Sequence, residues 1–450
     1  MGDCYDLVVI GSGTAAMVAA TRTAAAGWKV AMIDDQPFGG TCALRGCDPK
    51  KMMVSAEEAI EAARRMAGRG VDGELSINWP ELLAFKRDFT EPISEKRAQT
   101  LARLSIDAID GTARFTARDR VQAGKDQLAF KHALIATGAH PVPLGIPGEQ
   151  LLATSDDFLE LAGLPSRILF IGGGYIAAEF SHLAARAGAR VTVVQHGPAL
   201  LDHFDGEVVG WLMPRFEELG IQVHLSTEVV SVQRSRPGFK VTMRQLDNRR
   251  VEHETDLVIH AAGRVPQLDR LDLAAGGIAA KNGRLSLQPN LRSTSNSRIF
   301  AAGDAAGMGP PLTPVSSHDA KIAAANMLDG GNRRPNYLGV PSVVFTIPAL
   351  AAVGLKESEA RDQGLDFELR SEFTPDWFTA RRLGETIYGH KVLVERVSGR
   401  ILGAHLVGPA AEEVINLFAL AVRQGLTADQ LKDTMFAYPT GASDIGYMLA

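Results

Sequence analysis

Cys42 and Cys47 lie in one short run, Gly39-Gly-Thr-Cys-Ala-Leu-Arg-Gly-Cys-Asp-Pro-Lys-Lys51, with four residues between the sulfurs. Thiols this near in sequence can close a small disulfide on the first turn of a helix. There the positive end of the helix dipole lowers a thiol pKa and favours the thiolate that does redox chemistry. The spacing is neither that of a zinc knuckle nor that of Cys-x-x-Cys, and no second Cys/His pair follows, so no resident metal site is expected. Spacing alone also allows two plain buried thiols; the flanking glycines and lysines favour the redox reading. The third cysteine, Cys4, begins the first apolar run, fits no motif and is read as structural.

A redox pair needs elements that hold it and a source of electrons. Asp6 to Ile10 reads as a strand ending in Gly11-Ser-Gly-Thr-Ala-Ala16, followed by an alanine-rich helix to Ala26 and a second strand, Lys29 to Ile33, ending at Asp34. In such a unit Gly11 and Gly13 let the backbone approach a pyrophosphate, Ala16 lets helix and strand pack closely, and Asp34 binds a ribose hydroxyl. The pattern returns at Arg167–Ile171 (strand), Gly172-Gly-Gly-Tyr-Ile-Ala177 (turn), Ala178–Ala187 (helix) and Arg190–Val194 (strand). Two dinucleotide units in one chain imply two nucleotides with electron transfer between them.

Further along, Ala133 to Ala139 reads as a buried strand with a Thr-Gly turn, followed by a Pro-rich linker from Pro141 to Pro147. Leu257 to Pro266 closes the second unit, and Ser297 to Asp304 is a strand delivering a carboxylate after a glycine. Pro310 to Pro314 precede a helix from Ser317 to Leu328. Past Asn336 the texture becomes a mixed tail, with strands near Ser342–Phe345, Lys391–Glu395 and Ile401–Val407 and helices from about Ala411 and Thr427.

Composition bounds the class. The 450 residues, 46% hydrophobic and 22% charged, predict a globular protein of two to four domains. A net charge of −5 offers no basic footprint for nucleic acid and no polybasic membrane patch. Three cysteines are too few for a disulfide scaffold, which points to a reducing compartment. Asp3 and Asp6 replace the basic start of a secretory leader, and the apolar stretch Leu7–Gly27 carries Gly11, Gly13 and Arg22. A cytoplasmic protein is expected.

The ordered set of motifs resembles the flavoprotein (pyridine nucleotide) disulfide oxidoreductase family, which includes glutathione reductase, dihydrolipoamide dehydrogenase and mercuric reductase. The match spans essentially the whole chain. It rests on the Gly11 turn, Gly40-Thr41-Cys42 to Cys47, Ala136-Thr137-Gly138, the Gly172 turn with Glu179, Gly263-Arg264, Gly303-Asp304 and Leu312-Thr-Pro-Val315. The resemblance implies an α/β fold with two Rossmann-like domains, for FAD and NAD(P)H, and a C-terminal α+β dimerisation domain. The expected bounds are 1–145 with 266–335 for FAD, 146–265 for the nicotinamide nucleotide and 336–450 for the dimer interface.

FAD would meet Gly11, Gly13, Thr14, Ala15, Asp34, Gly40, Thr41, Lys51, Ala113, Thr137, Gly138, Arg264, Gly303 and Asp304. Asp304 would hold the ribityl chain and Ala113 would meet adenine through its backbone. NAD(P)H would meet Gly172, Gly174, Tyr175, Ile176, Glu179, Gln195, His196 and Gly263. Lys51 would pair with Glu179 beside the flavin ring, placing positive charge where reduced flavin becomes negative. Cys47 would be the charge-transfer thiolate and Cys42 the interchange thiol that attacks a small-molecule acceptor.

The tail departs from the pattern. Where disulfide-reducing members carry His-Pro-Thr and a following Glu, this chain reads Phe436-Ala-Tyr438-Pro-Thr-Gly-Ala-Ser443-Asp444, and no histidine follows His405. A phenol with a pKa near 10 is a poor proton shuttle beside an imidazole near 6.5. The partner subunit's tail would normally complete the site. Mercuric reductase also has tyrosine in this region, but the chain ends Tyr447-Met-Leu-Ala450 without the terminal cysteine pair of that enzyme. Lys50 stands where serine is usual and would favour a thiolate if it points inward. After the strand that ends at Val194, Gln195 and His196 offer neither the acid of NADH users nor the arginine of NADPH users, which leans to NADPH.

The leading expectation is an FAD-dependent NAD(P)H oxidoreductase reducing a disulfide, persulfide or thiophilic metal. The alternatives are a diaphorase or oxidase passing electrons from flavin directly to quinone, oxygen or metal, and a non-catalytic redox sensor.

Overall fold

The computed structural model describes residues 4–450; Asp3, one of the two acids that argue against a secretory leader, lies outside them. Eight helices carry the argument below: α1 (Thr14–Ala25), α2 (Gly40–Arg45), α3 (Cys47–Arg65), α4 (Trp79–Arg103), α5 (Ser155–Phe158), α6 (Tyr175–Arg186), α7 (Gly206–Glu218) and α8 (Thr313–Asp329). The chain divides into two compact units. One comprises Met1–Lys50, Ala84–Val142 and Arg264–Tyr337, and the other Lys51–Leu83, Pro143–Gly263 and Leu338–Ala450.

Among the described residues, the first unit is built on a seven-stranded sheet. Its centre is parallel: Val30–Asp34, Cys4–Ile10 and Asp126–Ile135 lie side by side, with Ile106–Asp110 beyond the first and Ile299–Ala301 paired to the last. Leu7, Val8 and Val9 are fully buried, as a strand covered on both faces requires. The register sets Ile10 beside Ile33 and Ile135, and Ile135 beside Ala301. These strands therefore end on a common line. Gly11, Asp34, Ala136 and the Gly303 turn follow at the carboxyl edge, where open parallel sheets bind ligands. Ala16, Ala19 and Ala20, all fully buried, let α1 lie close on the sheet. The apolar Leu7–Gly27 stretch is thus a strand, a turn and a helix, and no helix among the described residues is long and apolar enough to cross a membrane.

The second unit repeats the plan. Gln222–His224, Arg190–Val194, Arg167–Ile171 and Leu257–His260 form a four-stranded parallel sheet in that order, with Ile171 beside both Val194 and His260. A three-stranded antiparallel sheet, Glu228–Arg234, Phe239–Arg244 and Arg250–Thr255, is inserted before its last strand. The tail forms a five-stranded antiparallel sheet ordered Ser342–Val344, Ala349–Gly354, Ile401–Gly408, Gly389–Glu395 and Phe367–Phe373. Helix Ala411–Gln424 packs on it through Val414, Ile415 and Phe418.

Several sequence expectations are corrected. The strand expected at Ala133–Ala139 is Asp126–Ile135, so Thr137 and Gly138 lie beyond it. The run Leu257–Pro266 breaks at Gly263, which has φ +109°, into two strands. Only Ile299–Ala301 of the Ser297–Asp304 run is extended, with Asp304 in a 3-10 turn. α8 begins at Thr313 rather than Ser317, because Pro314 is tolerated in a first helical turn.

Within the second unit, α3 is anchored by a buried ion network. Arg186 of α6 reaches Glu57 (3.3 Å) and Glu61 (3.1 Å) of α3, and Arg215 of α7 reaches Glu61 (2.7 Å) and Glu385 (2.7 Å). Removing one member of such a network strands buried charge and costs about 3–5 kcal/mol. Arg186→Met is therefore expected to lose stability of that order in urea unfolding, whereas Arg361→Ala, at the exposed pair with Glu357, should lose under about 1 kcal/mol. Equal losses would show that the buried network does not hold α3.

Candidate active site

The site grows from a close approach of two backbone segments. Gly11 has φ +105°, and a Cβ there would fall 2.3 Å from the Ala136 carbonyl oxygen. Gly40, at φ +71°, would place a Cβ 2.2 Å from Gly13 Cα. Only glycine allows this cysteine loop to lie on the glycine turn. Ser12, which no sequence motif singled out, ties the parts together. Its hydroxyl donates to Asp34 Oδ2 (2.6 Å) and accepts from Gly39 N–H (3.1 Å). Asp34 also accepts from Gln36 N–H at 2.9 Å.

The cysteines do not share one helical turn. Cys42 lies inside α2 and Cys47 begins α3, with Gly46 (φ −138°, ψ −118°) breaking the two helices apart. A Cβ at Gly46 would sit 2.9 Å from Thr41 O. Both cysteines are free thiols, Cys42 half-buried and Cys47 exposed. Thr313, the first residue of α8, donates its hydroxyl to Cys42 Sγ at 3.1 Å and lies 3.7 Å from Cys47 Sγ. The sequence offered a hydroxyl one residue before a proline at a helix start, but nothing there signalled that it would reach both sulfurs.

The pair is electrostatically asymmetric. Cys42 donates to Cys47, and this lowers the Cys47 thiol from its usual 9.0 to about 6, with further help from Thr313 and the Lys50 ammonium against burial and Asp48. The same hydrogen bond, with burial, pushes Cys42 far above the usual thiol range. One proton is shared, Cys47 carrying the charge and Cys42 the hydrogen. Lys50 is buried and acts on Cys47, as an inward-pointing lysine would. Asp48 is itself raised by burial, with Arg97 opposing. Cys4 is exposed, its thiol turned to the Tyr5 carbonyl.

Other expected flavin residues gather in the same unit. Thr137 Oγ1 donates to Gln267 O (2.6 Å), whose amide returns to Gly138 O (3.0 Å). Arg264 donates to Ala139 O. Burial raises the Asp304 carboxyl, partly offset by Arg264. Thr14 and Ala15 open α1, Thr41 lies in α2, and the buried Ala113 begins the strand Ala113–Ala117. The glycine cradle, with open space around Gly138, and the Asp304 carboxyl fit the diphosphate and hydroxyls of FAD.

The second unit holds the remaining residues. Gly172, at φ +109°, would place a Cβ 2.3 Å from Ala261 O, reproducing the Gly11–Ala136 relation, and Gly174 faces open space. This fits a second dinucleotide. Tyr175 and Ile176 open α6, and Gly263 lies in the break that follows the strand Leu257–His260. Gln195 does not face outward. It is buried, and its Oε1 accepts Gly173 N–H at 3.0 Å, so it braces the turn, while His196 is exposed. Glu179 accepts the Phe345 amide (2.9 Å), and Lys51 lies over the Phe345 ring (4.7 Å) and pairs with Glu58. Tyr438 is 76% exposed. Asp444 is buried and accepts the Tyr388 hydroxyl at 2.7 Å, and Ser443 closes a capping box with Thr440.

Comparison with known proteins places this geometry. Residues 5–320 match the model of the pyridine nucleotide-disulphide oxidoreductases, and residues 340–448 match that family's dimerisation domain. The chain is 33% identical to a mercuric reductase of Bacillus cereus, covering 98% of this chain and 70% of the relative. It is also 33% identical to a glutathione reductase of Burkholderia cepacia, covering 98% and 97%. Among solved structures, it resembles the HOCl-induced flavoprotein disulfide reductase RclA of Escherichia coli, with a TM-score of 0.89 at 26% identity and 99% coverage of both chains. RclA is also known as a Cu(II) complex, which matches at a TM-score of 0.88 and 27% identity.

The sulfur geometry predicts a reactivity profile. In prereduced protein carrying Cys4→Ser, iodoacetamide should modify the first thiol with an apparent pKa near 6. Thr313→Val should raise that value by roughly half a unit to one unit, because a donor to the charged sulfur is lost. An unmoved profile would remove Thr313 from the support of the thiolate.

Proposed function

The chain belongs to the pyridine nucleotide-disulphide oxidoreductase family, an FAD-dependent NAD(P)H enzyme family with Cys42 and Cys47 as the redox pair. From that premise we propose that it uses NADPH to reduce a small disulfide, persulfide or thiophilic metal ion through Cys42. The observation that carries this is the divided sulfur pair, with Cys47 held as thiolate and Cys42 kept protonated beside it. Residues 1–145 and 266–335 would house FAD, 146–265 the nicotinamide nucleotide, and 336–450 the interface of a cytoplasmic homodimer. Met435 and Tyr438 are 97% and 76% exposed in the single chain, as residues awaiting a partner subunit would be.

Bound FAD would supply the electron pair, taken from the nicotinamide, that opens the Cys42–Cys47 disulfide. The protein's share is positional. Gly11, Gly13 and Gly40 remove side chains from the diphosphate path, and Asp304 would accept ribityl hydroxyls. Lys51 and Glu179, which both meet Phe345, would stand beside the flavin ring, with Lys51 placing positive charge where reduced flavin becomes negative. In the dithiol, Cys42 loses its proton and attacks the acceptor sulfur, forming a mixed disulfide as a thiolate leaves. Cys47 then attacks Cys42, releases the second thiolate and restores the disulfide. Thr313, within reach of both sulfurs, supports whichever carries charge. Gln195 is turned inward and neither binds a ribose hydroxyl nor repels a 2′-phosphate, leaving His196 to receive one.

A thiophilic metal is favoured over a large disulfide by the tail. Tyr438 replaces the proton-shuttling histidine, and Asp444 is engaged by Tyr388. The Cu(II) complex of RclA makes copper a first candidate.

An anaerobic NADPH titration followed by glutathione, lipoamide and coenzyme A disulfides, mercury and copper ions and quinones tests the reading. Cys42→Ser should lower turnover of the preferred sulfur or metal acceptor at least about 100-fold while quinone reduction persists. Unchanged turnover would assign the electrons to a direct flavin route. Tyr438→His should raise disulfide turnover by about tenfold or more, and Tyr438→Phe should change it little.

A further inference from the structure

The first compact unit ends at Tyr337, a residue that no motif covers, yet Tyr337 is wired to the turn that carries Asp304. Asp319 of α8 is fully buried, and each of its oxygens is used. Oδ2 accepts the Gly303 N–H at 3.1 Å, and Oδ1 accepts the Tyr337 hydroxyl at 2.8 Å. Gly303 has φ +66°, and a Cβ there would meet Ser316 Oγ at 2.8 Å, so the turn is pressed directly onto α8. The Tyr337 ring fills the place a Cβ on Gly309 would take, at 2.7 Å, and stands edge-on to His318 at 6.3 Å. His318 Nε2 accepts the Asn336 N–H at 3.0 Å. Two adjacent residues of α8 thus clamp the segment that leads into the dimerisation domain, and one of them also holds the turn.

We infer that Asp319 and Tyr337 are positioning residues for Asp304, and that FAD is held at full affinity only when the Tyr337 hydroxyl fixes the Asp319 carboxylate. The inference rests on the reading of Asp304 as the ribityl acid. A buried carboxylate held by two neutral donors from opposite sides has one orientation. Removing the Tyr337 donor frees Oδ1, and the carboxyl can then rotate away from Gly303. Asp304 follows Gly303 directly, so the loosened turn reaches the carboxyl that would meet the cofactor. Asp319→Leu, of similar size, removes both acceptors at once and so releases Gly303 N–H and the Tyr337 hydroxyl together.

The test uses the full-length protein, reversibly stripped of FAD. Wild type, Tyr337→Phe, Asp319→Leu and the double variant are titrated with FAD by flavin fluorescence, and each is melted with and without FAD. Tyr337→Phe keeps the ring packing and should weaken FAD binding about tenfold, the loss of one hydrogen bond, while the FAD-free melting temperature stays near wild type. Asp319→Leu should weaken binding at least as much, and the double variant should be no worse than Asp319→Leu alone. FAD affinity within twofold of wild type in Tyr337→Phe overturns the inference, as does an equal fall in melting temperature with and without FAD, which marks ordinary packing. Wild type that takes up no FAD overturns the flavin reading itself and this inference with it.

Discussion

The approach of Gly40 to Gly13 is the constraint from which the site follows. No side chain larger than hydrogen fits at Gly40, since its Cβ would fall 2.2 Å from the Gly13 α-carbon. The cysteine loop is therefore seated on the same turn that would cradle the diphosphate. Ser12 makes the seating specific by bridging Asp34 and the Gly39 amide. Once the loop is placed, Gly46 divides it into two helices, and Cys47 opens α3 while Cys42 stays in α2. The sulfurs then differ in hydrogen bonding although they are alike in sequence. That difference, rather than the presence of two thiols, makes one a held thiolate and the other a proton carrier.

The second unit solves the same steric problem. Gly172 faces the Ala261 carbonyl as Gly11 faces that of Ala136, with nearly equal positive φ angles and equal close approaches. In both cases a parallel strand ends one residue before the glycine, and a neighbouring strand delivers the carbonyl that excludes a Cβ. The repeat is thus physical as well as textual. What differs is the residue after the second strand. Asp34 remains partly accessible and bound to Ser12, whereas Gln195 folds back onto Gly173. One turn keeps its acid available for a ribose, and the other uses its polar side chain as a brace.

Both turns, the cysteine run and the strands Arg167–Ile171 and Arg190–Val194 were legible because they depend on local rules: glycine at positive φ, β-branched runs and an alanine helix face. Matters decided by contacts distant in sequence were not. Thr313 lies far along the chain from the sulfurs it touches, and its role exists only because α8 begins beside them. Ala349–Gly354 offers no alternation of apolar and polar residues and is a strand by virtue of its neighbours in the five-stranded sheet. Phe367–Phe373, by contrast, does alternate, with Phe367, Leu369 and Phe373 set against Glu368, Arg370 and Glu372, and was legible. The buried Arg186–Glu61–Arg215 network was likewise invisible, since a charged helix face reads as solvated until other helices are packed against it.

On the proposed reading, the tail would set the chemistry of electron exit. An acceptor disulfide released as two thiolates needs protons, and a histidine–acid pair usually manages them. Here the acid is committed, since Asp444 is buried under the Tyr388 hydroxyl, and Tyr438 stands where the histidine is usual. The sulfur pair itself compensates in part. A thiolate already formed near pH 6 at Cys47 needs no base, so Cys42 alone must shed a proton in each turnover. A thiophilic metal ion removes even that demand, because metal binding displaces the thiol proton directly to water. A dithiol built this way would favour acceptors that bind sulfur over acceptors that must be protonated to leave.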